Sequence, residues 1–238
     1  MEAKGDKMRL LSSFLDLFFP ADCRTCKEPL EWNENYICKG CFDKIEPLKP
    51  PLCVKCGKHI DGGIKCLSCK GRRIYFEKAR SYGEFSDVLK EAIHLLKYEK
   101  KIILADKLAN LMDGVVDLFE SEFSYLLPVP IHKNKQRKRG FNQSKLFCDF
   151  LSKTRGIPVL SGLTKEINTP QQVGLNHSER WQNVKDSFRW KGDKKQIEGK
   201  RLLLIDDVMT TGSTVNECSK VLMAEGAESV YVLTLAST

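Results

Sequence analysis

Apolar positions along the chain change their texture near residue 74. From Ile74 onward they fall into helical and strand-like periods separated by short turns. Residues 77–85 read as a strand with a turn at Gly83. Ser86 then reads as the N-cap of a helix whose Leu89, Ala92, Ile93 and Leu96 fall at i, i+3, i+4 and i+7. A second helix is expected from about Ile102 to Glu120. Tyr125–Pro130 reads as a short strand that its prolines terminate. An amphipathic helix from about Asn142 to Lys153 carries Leu146, Phe147, Phe150 and Leu151. The stretch Thr164 to Lys195 is polar with little periodicity, which suits a long functional loop. The strand Arg201–Ile205, a helix of about Val215 to Glu225 and the strand Ser229–Leu235 close the chain. Strands alternating with helices predict an α/β fold with a mainly parallel sheet.

The bulky run before Asp206 is a buried parallel strand, and open α/β sheets place their ligands at the carboxyl ends of such strands. There the chain reads Asp206-Asp207-Val208-Met209-Thr210-Thr211-Gly212-Ser213-Thr214. Loop amides and a helix N-terminus converge there on a spot that favours an anion. The hydroxyls of Thr210, Thr211, Ser213 and Thr214 add donors, and Gly212 lets the backbone approach phosphate oxygens. The adjacent acids repel each other, so they call for a sugar diol or a Mg²⁺-bound polyphosphate. A bland account is available for part of this: Thr214-Val215-Asn216-Glu217 is a capping-box sequence. It leaves the paired acids and Thr-Thr-Gly-Ser unexplained.

Ahead of residue 74 the chain is poor in aliphatic residues, and it holds eight of the ten cysteines. They form four CxxC pairs, Cys23/Cys26, Cys38/Cys41, Cys53/Cys56 and Cys66/Cys69. Each pair offers two thiolates on one turn, and two pairs complete a tetrahedral zinc shell. One or two structural zinc ions are expected, with sequential pairing as the default and an interleaved pairing open. Cys148 and Cys218 fall on apolar helix faces as core residues. His59, His94, His132 and His177 lack a partner at ligand spacing. The domain boundary falls between 1–72 and 73–238.

Net charge is +8, from 39 basic and 31 acidic residues, which suits an anionic partner without selecting one. The basic run Lys133, Lys135, Arg137, Lys138 and Arg139 follows a strand end, where it would grip pyrophosphate or single-stranded nucleic acid. Trp32, Tyr36 and Phe42 are candidate stacking residues for single strands. The apolar stretch Met8–Phe19 is too short to span a bilayer and lacks a secretory cleavage site, so a cytoplasmic protein is expected, with contact at the inner membrane surface as a weaker idea.

The loop Ile205–Thr214 resembles the phosphoribosyl pyrophosphate signature of type I phosphoribosyltransferases. Leu127-Pro128-Val129-Pro130, Arg139-Gly140-Phe141-Asn142-Gln143, Gln172, Glu179-Arg180 and Asn183-Val184 resemble the ComF family of competence proteins. So do the cysteine-rich front end and Leu17-Phe18-Phe19-Pro20 before it. The resemblance implies a zinc module on a phosphoribosyltransferase-like domain that acts in DNA uptake beside other uptake proteins. It assigns the ribose to Asp206/Asp207 and the 5′-phosphate to Thr210–Thr214, and it makes the loop around Gln172, Val173 and Gly174 a lid. Arg139 and Arg180 are the candidates for charge stabilisation if turnover onto a nitrogen acceptor occurs.

Overall fold

The computed structural model describes residues 21–169 and 177–238. Met8–Phe19, Leu17–Pro20 and the lid residues Gln172–Gly174 lie outside the described residues.

Two four-residue helices, α1 (Lys39–Phe42) and α2 (Leu67–Lys70), belong to the cysteine-rich segment. The rest runs β1 (Ala79–Glu84), α3 (Asp87–Tyr98), α4 (Leu104–Val116), β2 (Tyr125–Pro128), α5 (Lys133–Arg139), α6 (Gln143–Arg155), β3 (Leu163–Lys165), α7 (His177–Val184), β4 (Phe188–Trp190), β5 (Arg201–Met209), α8 (Ser213–Ala224) and β6 (Ser229–Ser237). The main sheet has the order β1-β6-β5-β2 with every pairing parallel. Its central strands are apolar on both faces, as a sheet covered on both sides requires. Leu203, Ile205, Leu233 and Leu235 face α3, α4 and α6, whereas Leu202, Leu204, Val230 and Val232 face α8 and β4.

The cysteine-rich segment is built into these two cores. Cys23, Ile37, Cys41 and Ile45 join the first, and Cys53, Cys56 and Ile60 join the second. Arg24 reaches α3 through Glu99 at 2.6 Å and Glu91 at 3.5 Å, while the Ala79 amide donates to the Lys55 carbonyl at 2.7 Å. The two halves of the segment therefore clamp opposite faces of the sheet near its β1 edge.

Several expected boundaries move. Gly83 is inside β1, paired with Ala236, and makes no turn. A Cβ there would stand 3.0 Å from the Glu46 carbonyl, so the glycine admits the chain crossing between the two cysteine clusters. The helix expected over 102–120 is α4 alone, ended by a 3₁₀ turn at Asp117–Phe119 and by Glu120 at φ 52°. The described residues of the polar stretch 164–195 carry regular structure where a loop was expected: β3 and β4 pair antiparallel, and α7 packs on α8. Too short to show periodicity, these elements form a hood beside the end of β5.

Candidate functional site

β5 runs four residues past Ile205, so Asp206 and Asp207 belong to the strand rather than to the loop. Both are buried, at 9% and 4% exposure. Asp206 Oδ1 accepts from the Ser144 hydroxyl on α6 at 3.1 Å and from the Asp207 amide at 2.9 Å. Asp207 Oδ1 pairs with Lys97 Nζ at 2.8 Å. Asp207 Oδ2 is buried and unmet by any group among the described residues. A buried acceptor left in that state costs about 1–3 kcal/mol, which a ligand's donor or a cation would recover. Burial pushes Asp206 up from 3.8 to about 7; the neighbouring Asp207 adds to the rise, while Lys97, the Asp207 amide and Ser144 oppose it.

Cations gather around this pair. Burial lowers Lys135 on α5, and Arg139 and Lys97 lower it further. Burial likewise lowers Lys165 on β3, reinforced by Lys135 and opposed by Cys218 and Asp206. Lys97, Lys135, Lys165 and Arg139 thus come from three elements, α3, α5 and β3, and the lysines raise each other's electrostatic cost. α5 divides the basic run: Lys135 and Arg139 are half-buried, one turn apart, whereas Lys133, Arg137 and Lys138 are exposed. Arg139 donates to Gln143 Oε1 and lies 5.9 Å from the Tyr98 ring centroid. Arg180 is half-buried on α7.

After β5, Gly212 at φ 75° turns the chain into α8. Asp206, Thr210, Gly212, Ser213 and Thr214 line a hollow of about 210 Å³ at the start of that helix. Thr211 is turned away and donates its hydroxyl to Ser213 Oγ at 3.0 Å, bracing the loop. The capping box does not form as expected. The N-cap is Gly212, and Glu217 instead accepts from the Asp186 amide at 3.0 Å.

The eight cysteines form two groups, Cys23/Cys26/Cys38/Cys41 and Cys53/Cys56/Cys66/Cys69, with the four sulfurs of each within 4.8 Å of one another. Sequential pairing is the one realised. Cys26–Cys38 and Cys56–Cys66 sulfurs are 3.7 and 3.6 Å apart, against about 3.8 Å for a tetrahedron with Zn–S bonds of about 2.3 Å. Amides of Cys38 and Cys66 donate to Cys23 and Cys53 sulfurs, both at 3.3 Å, as they would to thiolates. Without a cation the charges conflict. Cys56 is held down to about 5, chiefly by Cys69, while Cys69 is driven far up, chiefly by Cys56. A divalent ion removes that conflict, and the donor sets fit zinc. Cys148 and Cys218 are fully buried in the core, and His132 caps α5 by accepting from the Asn134 amide at 3.2 Å. Of the stacking candidates, Trp32 is 96% exposed, whereas Tyr36 and Phe42 pack on the core.

Fold and site together define a double zinc ribbon joined to a phosphoribosyltransferase-type domain. The chain matches the double zinc ribbon domain over residues 14–70 and the phosphoribosyl transferase domain over 149–238. It is 31% identical over 226 residues to competence protein F of Haemophilus influenzae, spanning 92% of this chain and 98% of that one. It is 29% identical to DNA utilization protein YhgH of Escherichia coli, over 93% and 99% of the two chains, and 25% identical to competence protein ComFC of Bacillus subtilis, over 98% of each. The chain belongs to the competence protein F family.

Ser144, Lys97 and Lys165 were missed by sequence reasoning. Only topology brings them to Asp206 and Asp207, because their own segments carry no local signal of function.

Metal analysis of purified protein is expected to give two zinc ions per chain, falling to one in Cys26→Ser and in Cys66→Ser. A value of one in the unaltered protein would remove one site. A second expectation concerns Asp206. Its folded value lies above its ordinary one, so the unfolded chain ionises first and stability is lost as pH rises from 3.8 to about 7. Asp206→Asn is therefore expected to match the parent in stability below about pH 4. By pH 8 it should be more stable, by on the order of 1 kcal/mol or more, in denaturant melts.

Proposed function

We propose that this protein binds phosphoribosyl pyrophosphate with Mg²⁺ at the junction of β5 and α8 and acts in DNA uptake or handling. The carrying observation is the group Lys97, Lys135, Lys165 and Arg139 around an acid pair that keeps one buried carboxylate oxygen unmet. Crowded cations partly stripped of water are a poor way to stabilise a fold, and a polyanion makes the arrangement favourable. The Gly212 loop would take the 5′-phosphate on amides and hydroxyls. Asp206 and Asp207 would take the ribose diol or Mg²⁺, and the cations the pyrophosphate. Eight reduced thiols suit the cytoplasm.

Calorimetry with phosphoribosyl pyrophosphate and Mg²⁺ is expected to show saturable binding. Lys135→Ala and Lys165→Ala should each weaken it by roughly ten- to a hundredfold, the scale of a hydrogen bond to a charged group. Unchanged affinity in both would end this reading.

The role with DNA rests on the competence and DNA-utilization relatives and on the exposed face of α5. Each phosphate contact to a single strand contributes roughly 0.7 to the salt slope of binding. Arg137→Ala combined with Lys138→Ala is therefore expected to reduce the slope by about 1.4 in fluorescence anisotropy with oligothymidylate. An unaltered slope would move the DNA surface elsewhere. Turnover, with a nitrogen acceptor displacing pyrophosphate from the ribose, is the second reading, supported by the match to the phosphoribosyl transferase domain.

A further inference from the structure

The two residues that hold the acid pair each have a sequence neighbour that holds Arg139. Lys97 pairs with Asp207, and the next residue, Tyr98, has the Arg139 guanidinium 5.9 Å from its ring centroid. Ser144 donates to Asp206, and the residue before it, Gln143, accepts from Arg139 Nη1 on its Oε1. Arg139 is thus gripped from α3 and from α6 by the direct neighbours of the groups that grip the carboxylates. Successive residues on a helix point about 100° apart, so the same two helices can serve the acids and the guanidinium as separate stations.

The turn that carries Arg139 is itself pinned. Gly140 at φ 92° ends α5, and Asn142 caps α6 while its Nδ2 donates to the Val129 carbonyl at 3.0 Å. The Val129 amide in turn donates to the Ile205 carbonyl at 2.9 Å, one residue ahead of Asp206. The chain from Arg139 to Gln143 is therefore fastened to the strand end that bears the acids.

Neither bracket residue is explained by the core. Gln143 is 4% exposed, a buried amide whose oxygen is directed to a cation. Tyr98 is 55% exposed, and His94 props its ring at a centroid distance of 5.0 Å. An arginine ordered in this way loses less freedom on binding, because its long side chain is already restrained by folding. Held by Nη1, it presents its Nε–Nη2 edge, which matches a pair of phosphate oxygens.

We infer that Tyr98 and Gln143 are positioning residues that aim Arg139 at the pyrophosphate of the ligand. They thereby set the preference for a pyrophosphorylated ribose over a ribose bearing the 5′-phosphate alone. The inference rests on the phosphoribosyl pyrophosphate site proposed above. It gives that site a specificity element separate from the loop that takes the 5′-phosphate.

The test is calorimetry on the full zinc-loaded chain with Mg²⁺, titrating phosphoribosyl pyrophosphate and ribose 5-phosphate. Gln143→Met keeps the volume and removes the acceptor, and it is expected to weaken phosphoribosyl pyrophosphate about tenfold. Tyr98→Leu removes the ring from an exposed position and should weaken it about fivefold, whereas Tyr98→Phe keeps the ring and should restore the parent value. Ribose 5-phosphate should bind all three variants as it binds the parent, which also reports correct folding. In an Arg139→Met background, Gln143→Met and Tyr98→Leu should cost nothing further, since both act through Arg139. Equal losses for the two ligands, or losses that persist without Arg139, would assign Gln143 and Tyr98 a merely structural role and overturn the inference. Undiminished phosphoribosyl pyrophosphate affinity in both Gln143→Met and Tyr98→Leu would also overturn it, with the neighbouring site left standing. A parent that binds no phosphoribosyl pyrophosphate would overturn that site and this inference together.

Discussion

Two carboxylates buried side by side at the end of a central strand are the arrangement on which the rest of the molecule turns. Neither desolvation nor mutual repulsion favours them, and the fold answers with Lys97 on Asp207 and the Ser144 hydroxyl on Asp206. The answer is incomplete, because Asp207 Oδ2 is unmet and burial holds Asp206 up near 7. Carboxylates perturbed by burial and a like charge in this way cluster at functional sites. The four helices and strands that supply Lys97, Lys135, Arg139, Ser144 and Lys165 are thereby tied to one point, with the amide loop a single turn downstream.

Zinc does for the front of the chain what apolar burial does for the remainder. The segment from Cys23 to Cys69 has too few aliphatic side chains for a core of its own. The two tetracysteine groups close its turns, and the few apolar residues left over, Ile37, Ile45 and Ile60, are used on the sheet domain. Gly57 shows how tight that docking is. A Cβ at this residue would lie 2.7 Å from the Ala79 carbonyl, and its φ of 71° suits glycine. The ribbons are thus part of the framework around the site, and the boundary proposed at residues 72/73 divides two metal-stapled clamps from the sheet they grip.

What could be read from the residues follows a physical division. The cysteine spacing, the buried strand and the hydroxyl-rich loop are local signals, since each needs only neighbours a few residues away. The hood was misread because β3 and β4 have three residues each, too few to display a period of two, and α7 has eight. Gly83 was misread as a turn because the chain that requires it, at Glu46, lies far off in sequence. The cation group around Asp206 was illegible for the same reason. Among 39 basic residues, topology alone selects Lys97 and Lys165.

The basic run shows how far one short helix can serve two surfaces. Lys135 and Arg139, four residues apart, are half-buried, with Lys135 close enough to Lys97 and Lys165 to feel their charge, while Lys133, Arg137 and Lys138 stay in solvent. A helix with its side chains is about 10 Å across. The Debye length at physiological ionic strength is about 8 Å, so anions on its two faces still sense each other weakly. A pyrophosphate bound inside would neutralise the inner cations and lower the potential that a nucleic-acid backbone meets outside, and the reverse holds by linkage. On the proposed function, the helix would couple the two occupancies through charge alone, without any change of shape.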